Sequence, residues 1–230
     1  MNFIALGFLW YLAFLSSTVA HEAAHAWAGS RLGDPTAFRG GQVSLDPIPH
    51  IRREPIGTVV FPILTYATSG WMMGWASTPY DPRWAAQYPQ RAAWMALAGP
   101  AANLCIAIVA GLLIRAGMLA GLFVLPDRAT FTAVTLGASG GMTQGLAVFV
   151  SILFTLNVIM FSFNLIPVPP LDGSAGITLL LGEQLGTAYR TLMQQPTASL
   201  LGLLFAWRAF GSIFGPVYRF ALGCLYPGHF

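Results

Sequence analysis

His21-Glu22-Ala23-Ala24-His25 places two imidazoles and a carboxylate within five residues, in a stretch that meets no glycine or proline before Gly29. On a helix, residues four apart share a face, so both histidines can reach one zinc ion at about 2.0–2.1 Å. The intervening glutamate then lies beside a water activated by that ion. It can act as general base while the metal lowers the water's pKa and polarises a scissile carbonyl. In a soluble helix this short pattern arises readily by chance. Here it ends an apolar run from Asn2 to Ala20, and ionisable groups at the centre of a bilayer cost about 2.5–3.5 kcal/mol each even on insertion scales. A purely structural helix has no use for such a cluster, so metal binding is the reading.

A hydrolytic zinc site takes three protein ligands and keeps a fourth position open. Most of the other acidic residues fall in polar loops among arginines, where solvated ion pairs account for them. Asp172 differs, because it follows an apolar span within Asn164-Leu165-Ile166-Pro167-Val168-Pro169-Pro170-Leu171-Asp172-Gly173. The prolines forbid a continuous helix and Gly173 relieves the backbone, so a carboxylate can turn inward. Asn103 has two readings, a substrate contact or an interhelical hydrogen bond, and the second is preferred. His50, in a polar loop, is a candidate gate or inhibitory ligand set against the ordinary expectation of a solvated side chain; His229 has less claim. Gly137-Ala138-Ser139-Gly140 looks like the motif of rhomboid serine proteases, but the one histidine after it is His229 in a Pro-Gly tail. Ser139 therefore reads as part of a turn that opens a helix.

The order of motifs resembles that of the site-2 protease family of intramembrane zinc metalloproteases. HEAAH at 21–25, AGPAANL at 98–104 and NLIPVPPLDG at 164–173 match in sequence over most of the chain. The resemblance implies one zinc ion per chain held by His21, His25 and Asp172, with Glu22 as catalytic base. It also implies that Asn164 sits near the substrate carbonyl, where its amide could donate to the developing oxyanion. The implied reaction is cleavage of a transmembrane segment of another protein. Many relatives carry a PDZ or CBS domain that this sequence lacks, so substrate selection must have another basis.

The elements that position these residues are apolar. Of 230 residues, 56 % are hydrophobic and 8 % charged, against about a quarter charged in a soluble domain. Five stretches, roughly 2–29, 57–76, 92–124, 142–164 and 197–224, approach the length that crosses a bilayer. The expected fold is an all-α polytopic membrane protein of about five to six transmembrane or re-entrant helices, one integral domain over 1–230. The first helix should run nearly 30 residues, about 43 Å. Residues 30–56, rich in Gly, Pro and Arg, should break any helix, and Gln42-Val43-Ser44-Leu45 alternates as a short strand would. That strand is a candidate for pairing with an extended substrate. The Pro-rich break after Asn164 requires a cavity or protein contacts to satisfy its backbone. The final segment should be a kinked helix or a helical pair.

The apolar run continues into the His-Glu cluster without a cleavage site, so residues 1–30 should remain in the mature protein. Arg31, Arg39, Arg52 and Arg53 place the first loop on the cytoplasmic side by the positive-inside rule. Eleven arginines without a clustered stripe exclude nucleic acid as a partner, and Cys105 and Cys224 suggest neither a disulfide nor a thiolate site. The expected partners are the lipid bilayer and a transmembrane protein substrate, in the inner membrane of a prokaryote; the sequence sets no oligomeric state. Two other functions fit parts of the pattern. A prenyl-protein-type membrane metalloprotease also embeds HExxH, but is not expected to use a Pro-rich Asp-Gly break. A zinc or ion transporter would usually show internal repeats, and none is present.

Overall fold

Helix α1 (Phe3–Leu32) carries the apolar N-terminal run and the His-Glu cluster without interruption in the computed structural model, which describes residues 2–193 and 195–229. The Asn2 side chain accepts from Ala5 N at its start. Gly33, at φ 110°, ends it in the left-handed conformation that favours glycine.

Two short helices, α2 (Thr36–Arg39) and α3 (Pro47–Arg53), occupy the loop expected to be free of helix. Proline breaks a helix only where its missing amide is needed. Pro47 and Pro49 both lie in the first turn of α3, where it is not, and Asp46 caps that turn by accepting from Ile48 N. The strand expected at 42–45 does not form, because these backbone groups are used in local turns. Gln42 N donates to Ala37 O, Asp46 N to Ser44 Oγ, and the Ser44 carbonyl lies 3.0 Å from His50 Nε2. Strand addition at this loop therefore loses its template.

A π-helical turn (Ile56–Val60) runs into α4 (Phe61–Ser69), giving an apolar helix too short to cross the hydrocarbon core. Residues 72–81 then form an irregular strap leading to α5 (Pro82–Gln87). This strap is held from outside: Trp75 N donates to Gly57 O, Ser77 Oγ to Glu54 Oε1, and Asp81 N to Asp34 Oδ2.

Helix α6 (Pro89–Leu119) follows, with Pro100 inside it. Strands β1 (Phe123–Val124) and β2 (Leu136–Gly137) then form a small antiparallel pair, Phe123 opposite Gly137. Helix α7 (Met142–Asn164) ends where the sequence predicts. After the proline break come α8 (Asp172–Gly176), a 3-10 turn (Ile177–Leu179), α9 (Glu183–Met193) and α10 (Pro196–Leu225). The last is one helix with Pro216 inside it, not a pair. Among the described residues four helices, α1, α6, α7 and α10, are long and apolar enough to span a membrane, so the chain is an all-α polytopic membrane protein.

Helix α7 is the most enclosed of the four. On one side Ile152 and Leu156 pack with Trp10 and Phe14 of α1 and Tyr66 of α4. On another, Phe154 and Val158 pack with Ile114 of α6 and Leu222 and Tyr226 near the C-terminus. Helix α10 leaves Leu200, Leu201, Leu204 and Trp207 exposed, as a lipid-facing helix should. The proline break satisfies its backbone with tight turns and with Tyr189 Oη, which donates to Pro167 O. Beside it lies a largely apolar cavity of about 350 Å³, bounded by Val168, Pro169, Leu192, Leu201 and Phe205.

Asp34 lies in a polar loop where a solvated side chain is expected, yet it is buried and ties the end of α1 to the strap. Thr36 N and Oγ1 donate to its Oδ1 and Asp81 N to its Oδ2. Burial alone would raise its pKa. The donations from Thr36 and Asp81, with Arg39 nearby, outweigh that and hold it below the ordinary carboxylate value. A lowered native pKa stabilises the fold above the unfolded-state pKa of about 3.9, and the contribution fades as pH falls through the native value. Asp34→Asn should therefore destabilise the protein by about 1–3 kcal/mol at neutral pH. Thermal unfolding in detergent at a series of pH values should show that gap closing below about pH 4.

Candidate functional site

The long unbroken α1 puts His21 and His25 on one face, with their rings 4.6 Å apart at an edge-on angle. The turn after the proline break swings Asp172 against them. Its Oδ2 lies 3.2 Å from His21 Nε2 and 3.4 Å from His25 Nε2, and the two nitrogens are 3.0 Å apart. Two glycines permit this closure. A Cβ at Gly99 of α6 would collide with both Nε2 atoms, and one at Gly173 would collide with the Leu165 carbonyl. The backbone of α6 thus forms a wall of the site.

Both imidazoles are held from behind. His25 Nδ1 lies 2.8 Å from the Met95 carbonyl, an acceptor only, so that nitrogen carries the proton and Nε2 presents a lone pair. His21 Nδ1 lies 2.6 Å from Asn103 Oδ1.

This donor set fits a tetrahedral zinc ion. Three ligand atoms at about 2.0–2.1 Å from one ion stand about 3.3 Å apart, close to the observed 3.0, 3.2 and 3.4 Å. Asp172 Oδ2 is buried and receives no hydrogen bond. A carboxylate oxygen facing two imidazole nitrogens in a largely water-free place repels them unless something positive lies between. A single proton can serve one pair at a time; a divalent ion satisfies all three.

Glu22, buried next to His21, is steadied by the strap. Thr78 Oγ1 lies 2.8 Å from Glu22 Oε2 and 2.9 Å from the Glu22 carbonyl. The hydroxyl engages one carboxylate oxygen and leaves Oε1 to accept a proton.

Matches to known proteins supply the family. A model of Peptidase family M50 matches residues 9–206. The chain belongs to that family, the site-2 proteases. It is 31 % identical over 163 residues to YwhC of Bacillus subtilis (strain 168), covering 70 % of this chain and 64 % of that one. It is 27 % identical over 173 residues to Rip2 of Mycolicibacterium smegmatis, covering 75 % and 57 %. Both relatives bear the name of a zinc metalloprotease. The chain thus spans less than two thirds of the length of either. No solved structure matches it.

Of the other sequence candidates, Asn103 makes the interhelical hydrogen bond that was preferred for it and Ser139 lies in the turn before α7, whereas Asn164 and His50 are placed differently from expectation. Asn103 is fully buried with both ends of its amide engaged, Oδ1 with His21 and Nδ2 with Asn157 Oδ1, so it has nothing left to offer a substrate. Asn164 turns its amide back to the Met160 carbonyl of its own helix. His50 is not solvated: it is 1 % exposed on α3, with Nε2 at the Ser44 carbonyl. It is not among the three residues whose ligand atoms converge. Ser139 lies in an exposed turn against Thr143.

Three contributors escaped the sequence reading. Thr78 lies in an irregular segment without a motif, Asn157 resembles any polar residue in an apolar helix, and Met95 acts through its carbonyl. Gly99 had a signal, its place in the Ala98-Gly99-Pro100 stretch, but its role emerges only from the approach of α6 to α1. Gly99→Ala should lower bound zinc more than about tenfold in metal analysis of the purified protein, since the added carbon needs the space of the ligand atoms.

Proposed function

We propose that this M50 protein is a zinc-dependent intramembrane endopeptidase, a single integral domain that cleaves transmembrane segments of protein substrates. The observation that carries the reading is the convergence of His21, His25 and Asp172 within a largely apolar helical bundle, with Glu22 beside them. One zinc ion per chain would be held by those three side chains. When bound there it would supply a Lewis acid that lowers the pKa of a water and polarises a carbonyl.

The chain's own residues account for the rest. Met95 and Asn103 orient the imidazoles, and Gly99 keeps the α6 side of the site tight. Glu22 Oε1 accepts the proton of the attacking water and returns it to the leaving amine. Asn164 is the donor proposed for the developing oxyanion, and its amide must first leave the Met160 carbonyl. A substrate helix hides its carbonyls in its own hydrogen bonds, so it must unwind locally before attack. The inner membrane of a prokaryote is the proposed location.

Glu22→Gln should retain zinc and lower cleavage of a candidate transmembrane peptide by about 10²–10⁴-fold, the usual contribution of a general base. Asp172→Ala should lose the zinc itself. A transporter need not depend on a base, and a prenyl-protein-type enzyme need not depend on Asp172. Unchanged cleavage by Glu22→Gln, or full zinc content in Asp172→Ala, would overturn the assignment.

Thr78→Val should leave zinc content unchanged and reduce kcat by about tenfold, with little change in KM, because only the aim of the base is lost. Thr78→Ser, which keeps the hydroxyl, should restore most of the rate.

A further inference from the structure

A chain of hydrogen bonds runs from His21 through two asparagines to a backbone carbonyl of α7 and a serine of α1, and its direction can be read from its last link. Asn157 Nδ2 lies 2.8 Å from the Leu153 carbonyl and 2.8 Å from Ser17 Oγ. The Leu153 carbonyl only accepts. Ser17 Oγ sends its own proton to the Ala13 carbonyl, so it too accepts from Asn157. The nitrogen of the Asn157 amide must therefore point to Leu153 and Ser17, which turns Oδ1 toward Asn103 at 2.8 Å. Asn103 must answer with Nδ2, which leaves its Oδ1 facing His21 Nδ1 at 2.6 Å. An oxygen there requires a proton on Nδ1, and so a lone pair on Nε2. Ser17, Asn103 and Asn157 are all fully buried, so in the intact protein these groups satisfy one another without bulk solvent.

We propose that Asn157 is a positioning residue for the metal ligand His21, acting through Asn103 to fix His21 in the Nδ1-protonated tautomer. It touches neither metal nor substrate. Without it, the Asn103 amide can rotate and present its nitrogen to His21. Either His21 Nδ1 then gives up its proton and moves it to Nε2, the ligand position, or two donors face each other. The three-helix chain thus carries a choice made by a backbone carbonyl of α7 to a side chain of α1. This inference rests on the zinc reading above and deepens it.

The test uses the full chain purified in detergent, with zinc affinity measured by chelator competition. Asn157→Ala should weaken zinc binding about 10–100-fold, the range for outer ligand partners. The double variant Asn103→Ala/Asn157→Ala should be no weaker than Asn103→Ala alone, because Asn157 acts through Asn103. Wild-type affinity in Asn157→Ala, or additive losses in the double variant, would overturn the proposal. Nitrogen-15 labelling of the four histidines in the zinc-loaded wild type gives an answer even if Asn157→Ala does not fold. His21, identified by the signal that shifts in Asn103→Ala, must show a protonated Nδ1 and a metal-bound Nε2. An unprotonated or metal-bound Nδ1 would refute the relay. If the wild type binds no zinc at all, the proposed function fails first, and that result is distinct from either outcome for Asn157.

Discussion

Three electron-rich atoms, two imidazole nitrogens and one carboxylate oxygen, meet within 3.4 Å of one another where water is scarce. Such a meeting is unfavourable by itself, since each atom repels the others and none can be solvated. It persists because each side chain is gripped from behind or forced from within the chain. His25 is gripped by a carbonyl, His21 by an amide, and Asp172 is delivered by a turn that prolines prevent from becoming helix. The rest of the fold can be read as the apparatus that holds this repulsive group together for a cation.

That apparatus explains why so many polar residues lie in the interior of an apolar bundle. Helix association in lipid gains little from the hydrophobic effect and relies on close packing and interhelical hydrogen bonds, each worth about 0.6–2 kcal/mol. The Ser17, Asn103 and Asn157 contacts join α1, α6 and α7 and also orient a ligand. Gly99 performs the packing counterpart, because the absence of a side chain lets α6 lie against the imidazoles. Structural and chemical roles coincide at the same residues.

The sequence made much of this legible because the ligands carry strong local signals. HExxH declares its own geometry through the helical period, and an aspartate after a cluster of prolines at the end of a span is an unusual placement. The long helices followed from length and apolarity alone. What failed depended on spacing between segments. The loop at 30–56 looked hostile to helix by composition, yet its prolines fall in the first turn of α3, where they are tolerated. Asn103 makes the interhelical hydrogen bond its sequence context suggests, but its further attachment to His21 depends on the register of α6 against α1. Thr78 and Asp34 gained their roles from the strap, which no periodic pattern reveals.

The ligands come from widely separated parts of the sequence, and this bears on biosynthesis. A chain emerging into the membrane carries both histidines and the base from its first helix, long before the proline turn that delivers the aspartate has been made. Until that turn docks, the cluster lacks Asp172. On the zinc reading proposed above, vectorial synthesis would act as a safety catch, because the site can be completed only after α1, α6 and α7 have all been threaded into place.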